Sequence, residues 1–282
     1  MSVRAHLLMP VYRGDRNWPP ALESVASMRH LFNTVVVSFD GPERHELSKQ
    51  LLVTWGRQIR PTVLVTPTVM SWSEHMYWLS SQTPLIHLPA DDLLTIAAED
   101  DLLLEPGLSE GLALVRQEYN SVLFGPWKST HEKRTASPQT GCVGGSPRIT
   151  RFPLILRRLA EIAASGSPTS VGGVTTSVRM FRDFMSLHGI DESAPGITGV
   201  RAEYFMACHD NVQTLIESSS PVVDIAEHSE QASQNLSRYE WILGEALFQL
   251  WVASSRSEIR LRDRLYAIAR IAKRSLQMPS VI

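Results

Sequence analysis

The chain has 282 residues, of which 43% are apolar, and its formal net charge at pH 7 is −2. This length and composition can build a hydrophobic core, so we expect a globular protein. A nearly neutral chain lacks the broad positive field of nucleic-acid-binding proteins, so we expect no nucleic-acid partner.

The cysteines and the amino terminus indicate the cellular compartment of the protein. Cys142 and Cys208 lie far apart in the sequence and show no metal-binding spacing, which favours a reducing environment. The apolar stretch near the amino terminus is too short for a signal-peptide core, and no uncharged run approaches the length of a membrane span. We therefore expect a cytoplasmic protein.

Strand and helix patterns alternate along the first half of the chain. Apolar and β-branched runs predict strands at 5–12, 33–41, 62–66, 92–98 and 121–127. Apolar residues at helical spacing predict helices that begin near Pro19 and that cover about 43–57, 73–82 and 107–119. This alternation predicts an α/β fold with a mainly parallel sheet, in which ligands bind at the carboxyl ends of the strands.

The second half is less regular. Residues 128–150 are polar and rich in Gly, Ser, Pro and Thr, which predicts a long loop and a candidate mobile lid. A helix is predicted at 151–166, and the pair Gly172-Gly173 would let backbone approach a ligand closely. Further helices are predicted at about 200–210 and 238–275.

Three consecutive carboxylates, Glu99, Asp100 and Asp101, directly follow the fourth predicted strand. Acidic groups crowded at the rim of a parallel sheet repel one another, and a divalent cation held between carboxylate and diphosphate oxygens relieves that repulsion. The structural alternative is that these residues stabilise the amino end of a helix beginning near Pro106. The motif alone leaves both interpretations open.

Three strand-end motifs together resemble the inverting family 2 glycosyltransferases of GT-A fold. The first predicted strand ends in Pro10-Val11-Tyr12, the second in Phe39-Asp40-Gly41, and the run LLTIAA leads into Glu99-Asp100-Asp101. The resemblance covers about the first 125 residues. It implies a GT-A (Rossmann-like) α/β fold with a mixed, mainly parallel sheet flanked by helices.

The same resemblance implies how the chain is divided. Residues 1–127 would form the nucleotide-sugar-binding half of a GT-A domain, and residues 128–237 would form the acceptor-side half with its mobile loop. Residues 238–282 would form a carboxyl-terminal helical extension.

The implied activity is that of a hexosyltransferase-like glycosyltransferase, with polysaccharide biosynthesis as one setting. It would move a sugar from a nucleotide-diphosphate donor to a hydroxyl acceptor with inversion, assisted by Mn²⁺ or Mg²⁺. A glycan, a lipid-linked compound and a small molecule all remain candidate acceptors. The alternative is a catalytically silent nucleotide-sugar-binding or scaffold protein of the same fold, because Ala98 stands where many family members have the first aspartate of the acidic motif.

The resemblance also implies roles for individual residues. Pro10 and Tyr12 would line the nucleoside pocket, and Asp40 would accept a hydrogen bond from the edge of the base. Asp100 would lie near the ribose, and Asp101 would bind the metal. Each has a structural alternative, such as a core aromatic ring for Tyr12 and a tight turn for Asp40.

A second acidic doublet competes with Asp100-Asp101. Asp91 and Asp92 follow an equally plausible short strand in the sequence LIHLPADDLL. We favour Asp100-Asp101, because an apolar run leads into it and a helix started by a proline follows within a few residues, as in the family.

The acceptor side of the site is predicted from the second half. Glu203 is the candidate general base for the acceptor hydroxyl, with Asp210 as its substitute. Glu203 has the structural alternative of stabilising a helix amino terminus. His228 and Ser233 match the family's His-x-x-x-x-Ser element, and His228 is a candidate metal ligand or diphosphate contact.

Basic residues of the second half are candidate contacts for the diphosphate or the acceptor. They are Lys128, Arg134, Arg148, Arg179 and Arg182. The segment 256–274 carries seven basic and two acidic side chains among spaced apolar residues. It predicts an amphipathic helix that either packs on its own domain or lies on an anionic membrane, as a peripheral protein at the inner membrane face would.

Overall fold

A computed structural model shows the fold and describes residues 3–12, 18–70, 72–118, 120–129, 145–165, 171–188, 206–207, 211–225 and 265. These residues form one large sheet, one small sheet and helices in the connections between strands. The predicted α/β class is confirmed.

The described residues contain eleven strands. They are β1 (Ala5–Val11), β2 (Thr34–Phe39), β3 (Thr62–Val65), β4 (Leu93–Ile96), β5 (Leu102–Leu103), β6 (Ser121–Leu123), β7 (Trp127–Ser129), β8 (Arg148–Arg151), β9 (Thr175–Ser177), β10 (Thr214–Glu217) and β11 (Val223–Ile225). Each of the five apolar runs predicted as strands contains one, because β-branched and apolar side chains suit a covered pleated surface.

Seven α-helices connect the strands of the described part. They are α1 (Trp18–Ser27), α2 (His45–Ile59), α3 (Trp72–Ser80), α4 (Thr83–Ile86), α5 (Glu105–Val115), α6 (Ile155–Ser165) and α7 (Val178–His188). Prolines occupy the first turns of α4 and α5, where a missing backbone N–H removes no helical hydrogen bond.

The large sheet has the strand order β3-β2-β1-β4-β9-β6-β10-β8, and the small sheet has the order β5-β11-β7. In the large sheet β9 and β8 run antiparallel to their neighbours, and the other six strands share one direction. The mainly parallel sheet predicted from the sequence is thus confirmed. We call the side at which the six parallel strands finish the carboxyl end of the sheet, and the opposite side its amino end.

The first strand lies in the middle of the core. All seven residues of β1 are buried, and Leu7, Leu8 and Met9 are fully inaccessible to solvent. A parallel strand flanked by neighbours and covered on both faces needs apolar residues at every position, which explains its continuous apolar run. Because β1 is fixed within the core, the backbone of Tyr12, the next residue, is fixed at the end of the strand.

Two predicted elements differ from the structure. The run 121–127 is divided between β6 and β7, which lie in different sheets, because Gly125 has a φ of +72° and Pro126 has no backbone N–H for a ladder. The helix predicted at 151–166 begins only at Ile155, since the residue before Pro153 is disfavoured in a helix. Residues 148–151 instead form β8 and pair with β10.

Several predicted segments lie largely outside the described residues. The predicted loop 128–150 is described only near its ends, as β7 and β8, and the large sheet draws strands from both sides of residue 127. The helices predicted at about 200–210 and 238–275 are described only at 206–207 and 265. Within the described part, no helix has both the length and the apolar character needed to span a bilayer.

Candidate functional site

The three strand-end motifs meet at the carboxyl end of the sheet. β1 lies between β2 and β4, so Tyr12, Asp40 and Glu99 follow neighbouring strand ends. The backbone N–H of Tyr12 donates a hydrogen bond of 2.8 Å to Oε2 of Glu99, although the two residues are 87 positions apart. The N–H of Asp40 donates to the carbonyl oxygen of Val11 at 2.9 Å. These bonds hold the three motifs in one cluster.

The carboxylate of Asp40 is buried and held by the loop after β3. Its Oδ1 accepts hydrogen bonds from the N–H of Met70 at 2.8 Å and from the hydroxyl of Thr66 at 3.3 Å. Burial raises the pKa of Asp40, and these two hydrogen bonds oppose that rise. Among the described residues, both hydrogen bonds to this carboxylate go to Oδ1.

Thr66 also fixes the turn that carries Asp40. The N–H of Gly41 donates to the Thr66 hydroxyl oxygen at 2.6 Å, and that hydroxyl lies 2.6 Å from the carbonyl oxygen of Thr68. Gly41 has a φ of +88°, which other residues rarely adopt. The turn predicted at Asp40-Gly41 is therefore present, and a fully buried threonine of the next strand end stabilises it.

The side chain of Tyr12 contacts helix α3. Its hydroxyl donates to the carbonyl oxygen of Trp72 at 3.2 Å, and its ring meets the ring of His75 edge to face, with centroids 5.2 Å apart. Burial raises the pKa of Tyr12 well above its ordinary value, and the negative charges of Asp40 and Glu99 raise it further. The phenol thus stays protonated at neutral pH and remains a hydrogen-bond donor.

His75 lies behind Tyr12 and is fully buried. Its Nε2 is 2.7 Å from Oγ of Ser38 in β2, and its ring centroid is 6.2 Å from that of Trp78. Burial lowers the pKa of His75 to about 4, so the imidazole is neutral at pH 7. Its Nδ1 is buried and has no hydrogen-bond partner among the described residues.

The acidic motif continues from β4 into β5. Glu99 and Asp100 are half-buried, whereas Asp101 is only 3% exposed, and none of the three residues is without an interaction partner. β5 then separates the motif from α5, whose first turn has no side-chain capping hydrogen bond at Leu104. The helix thus begins four residues after Asp101, beyond a two-residue strand.

The acidic motif has the right chemistry for a divalent metal, but the described residues do not supply a complete set of ligands. Carboxylate oxygens are the ligands that Mg²⁺ and Mn²⁺ prefer, and Asp100 and Asp101 supply them. The described residues contain no group of three or more His, Cys, Asp or Glu side chains that could hold a metal ion. Ala98 contributes no oxygen ligand from its side chain, and His228 lies outside the described residues.

The competing doublet lies at the amino end of the sheet, beside the start of β4. Oδ1 of Asp92 accepts the backbone N–H of Arg4 at 3.0 Å, and its Oδ2 is 3.1 Å from Nε2 of His6. Asp91 forms an exposed ion pair with Arg179 at 2.7 Å. The length of β1 separates this doublet from Tyr12.

The basic candidates also have protein partners. Arg182 donates to the carbonyl oxygens of Leu85 and Ile86 at the end of α4 and to that of Leu88 just after it. Arg179 and Arg182 thus lie away from the carboxyl end of the sheet. Lys128 forms an ion pair of 2.9 Å with Asp224 across β7 and β11, and Arg148 is exposed at the start of β8. Arg134 lies outside the described residues.

The glycine pair serves packing within the protein. The carbonyl oxygen of Gly172 accepts a hydrogen bond of 2.7 Å from Nε1 of Trp127. Gly173 has a φ of +81°, and a Cβ there would meet the side chains of Val222 and Val223. The φ and the close contacts explain the glycine at 173 without a ligand.

Some predicted site residues have no described position. Pro10 is buried within β1 beside the cluster, whereas Glu203, Asp210, His228 and Ser233 lie outside the described residues.

Sequence reasoning missed the contributions of Thr66 and His75. Thr66 follows β3 as Asp40 follows β2, so its strand-end position could have revealed it. His75 gave no signal, because its role depends on contacts between a helix and two strands.

Solved structures with the same fold are known, although no protein-family model and none of the curated proteins matches the chain by sequence. S. aureus TarS superposes with a TM-score of 0.64 at 13% identity, over 99% of this chain and 44% of that one. TarS 1–349 in complex with UDP-GlcNAc gives a TM-score of 0.67 at 12% identity, over 98% and 73% of the two chains.

A third structure widens this comparison. GalNAc-T7 with UDP, GalNAc and Mn²⁺ superposes with a TM-score of 0.53 at 11% identity, over 97% of this chain and 55% of that one. At such identities the likeness shows a shared fold, and it confirms the GT-A architecture predicted above. This chain spans less than half the length of the full TarS chain.

Proposed function

We propose that this chain is a glycosyltransferase that takes a sugar from a nucleotide-diphosphate donor and transfers it to a hydroxyl acceptor with inversion. One observation carries the proposal: Tyr12, Asp40 and the Glu99-Asp100 segment converge at the carboxyl end of a mainly parallel sheet. Ligands bind at this position in open α/β sheets. The fold is also that of proteins solved with UDP or UDP-GlcNAc bound, which supports the same class of donor.

The donor's nucleoside would bind between β1 and β2. Tyr12 presents a ring whose position is set by Trp72 and His75, and bases pack well beside such rings. Asp40 would accept a hydrogen bond from an N–H at the base edge, because Met70 and Thr66 hold the opposite side of its carboxylate. Pro10, buried in β1, would form the floor of this pocket.

The diphosphate would lie beyond the end of β4. Asp101 is the proposed ligand of Mn²⁺ or Mg²⁺, with Asp100 beside the ribose and His228 as a further ligand from the second half. When bound, such an ion neutralises charge on the departing diphosphate. Because Ala98 replaces one carboxylate, the protein contributes few oxygen ligands of its own here.

The acceptor would react from the side formed by the second half of the chain. Glu203, or Asp210 in its place, would accept the proton of the acceptor hydroxyl as its oxygen attacks the anomeric carbon. This assignment rests on the sequence motif. A glycan, a lipid-linked compound or a small molecule would each satisfy the chemistry, and contact of the basic segment 256–274 with an anionic membrane would favour the lipid-linked class.

The proposal is tested by donor turnover. Purified protein is incubated with UDP-, GDP-, CDP- and ADP-sugars, with and without MnCl₂, and release of the nucleoside diphosphate is measured. We expect release from one donor class, stimulated by the metal. Binding of a donor without any metal-stimulated release would favour the silent-binder alternative, for which Ala98 is the motivating observation.

The position of the acidic motif is tested by matched substitutions. Asp101→Asn and Asp100→Asn keep the side-chain shape while removing a charged ligand, and we expect metal-stimulated release to fall by at least about 100-fold in Asp101→Asn. Asp91→Asn removes an exposed charge at the amino end of the sheet and should leave release unchanged. Loss of release in Asp91→Asn alone would reverse the assignment of the two doublets.

A further inference from the structure

The ring of Tyr12 is held by two contacts with other parts of the protein. Its free movement would be rotation about its side-chain bonds, and two contacts oppose that movement. The hydroxyl bonds to the carbonyl oxygen of Trp72 at 3.2 Å, and the ring meets His75 edge to face at 5.2 Å and an interplanar angle of 78°. An edge-to-face pair of this kind adds stabilisation beyond the burial of its area.

His75 is itself fixed in place. Its imidazole is fully buried in α3, and its Nε2 lies 2.7 Å from Oγ of Ser38. Ser38 belongs to β2, two residues before Asp40, so the pair joins the helix behind the pocket to the strand that carries the other base contact. A displacement of His75 would therefore be passed to Tyr12.

The imidazole is not the obvious residue for packing alone. Its Nδ1 is buried without a hydrogen-bond partner among the described residues, and such a group lowers stability because its lost hydration is not replaced. An apolar side chain of similar size would avoid that cost. Retention of a costly buried group indicates that the imidazole has a role besides packing. The side chain that it contacts at the proposed donor pocket is Tyr12.

From these contacts we propose that His75 is a positioning residue for the nucleotide: anchored by Ser38, it fixes the Tyr12 ring against which the base packs. This inference rests on the proposed function, because it needs a nucleotide beside Tyr12. It predicts that His75 acts on affinity for the nucleotide through Tyr12, without touching the reacting atoms.

The experiment measures binding of UDP, GDP, CDP and ADP by calorimetry and then follows the tightest of them in variants. His75→Gln keeps a group within reach of Ser38 but removes the ring, and it should raise the Kd about 2- to 10-fold, the factor that corresponds to the edge-to-face contact. His75→Phe keeps an aromatic ring but loses the bond to Ser38, and it should raise the Kd less than His75→Gln does. The kcat of donor turnover should change less than the Kd in both variants.

The matched control is His6→Gln. His6 is another buried histidine that bonds to a polar partner, Asp92, but it lies at the amino end of the sheet, away from Tyr12. The same loss of a buried imidazole should there leave the Kd unchanged. A general loss of core stability would lower the fraction of active protein in both glutamine variants, so it would not produce a difference in Kd between them.

A double-mutant cycle tests the route of the effect. In a Tyr12→Ala background, His75→Gln should cause no further loss of affinity, because the residue it acts through is gone. An equal loss in both backgrounds would overturn the inference. So would a wild-type Kd in His75→Gln, or equal weakening in the Phe and Gln variants; the proposed function would then still stand. A wild-type protein that binds none of the four nucleotides would overturn both.

Discussion

The backbone N–H of Tyr12 and the carboxylate of Glu99 are joined by a 2.8 Å hydrogen bond that ties the end of β1 to the segment after β4. A bond to a charged acceptor is stronger than one to a neutral acceptor and contributes about 1.5–3 kcal/mol when it is well shielded from water. Glu99 is half-buried, so we expect the lower part of that range. This bond brings the nucleoside and diphosphate sides of the proposed donor site together.

Glu99→Ala should lower the free energy of unfolding by about 1–2 kcal/mol and weaken nucleotide binding, because Tyr12 loses its backbone anchor. Urea denaturation and calorimetry measure the two effects. Glu99→Gln retains a carbonyl oxygen as acceptor and should lose less than half as much stability. An alanine variant with wild-type stability and affinity would show that the bond does not organise the site.

Thr66 should act on the nucleotide through Asp40. Thr66→Val has nearly the same shape but removes the hydroxyl to which the N–H of Gly41 donates and which supports Asp40. We expect a loss of about 1–3 kcal/mol in the free energy of unfolding, together with a raised nucleotide Kd. Thr68→Val is the control, since Thr68 is exposed and contributes only its backbone carbonyl. Equal affinities in the two variants would contradict this role.

Stability should depend on pH through His75. Its pKa is about 4 in the folded chain and 6.5 in the unfolded chain, so between these values the unfolded state binds more protons. The stability that comes from its neutral burial is complete above the unfolded pKa and is lost as the pH falls toward the folded pKa. From this group alone, the free energy of unfolding should fall by about 2 kcal/mol between neutral pH and about pH 5.

The measurement is a set of urea titrations of the wild type and His75→Gln at several pH values. The variant lacks the titrating group, so its stability should fall less steeply over this range. The difference between the two proteins should then change with pH by the amount given above. A difference that stays constant would mean that the pKa of His75 is the same in the folded and unfolded states.

Two ion pairs of different burial should differ in their effect on stability. Arg158 in α6 makes two hydrogen bonds of 2.7 Å to the carboxylate of Glu217, whose side chain is 4% exposed. Arg158→Met leaves that carboxylate buried without its partner and should cost about 3–5 kcal/mol. Arg151→Met breaks the more exposed pair with Glu118 and should cost less than about 1 kcal/mol. Thermal or urea unfolding compares them directly.

The sequence determined the order of elements in the first half and the strand-end motifs. Apolar and β-branched runs predict covered strands because the residue types within a strand depend on whether its faces are buried. The residue that follows each strand is then known as soon as the strand is known. Tyr12, Asp40 and the Asp100-Asp101 doublet could be named for this reason before any contact was seen, whereas the contact of Glu99 with Tyr12 could not.

The tertiary structure decided which of these residues meet and what holds them. Asp91-Asp92 and Asp100-Asp101 look alike in sequence and flank β4, and only its parallel pairing with β1 puts the second doublet at the end of the sheet that carries Tyr12. The support from Thr66 and the ring contact of His75 depend on register and on side-chain direction between distant segments. Local sequence patterns do not predict such contacts, because the packing of distant segments brings these residues together only when the chain has folded.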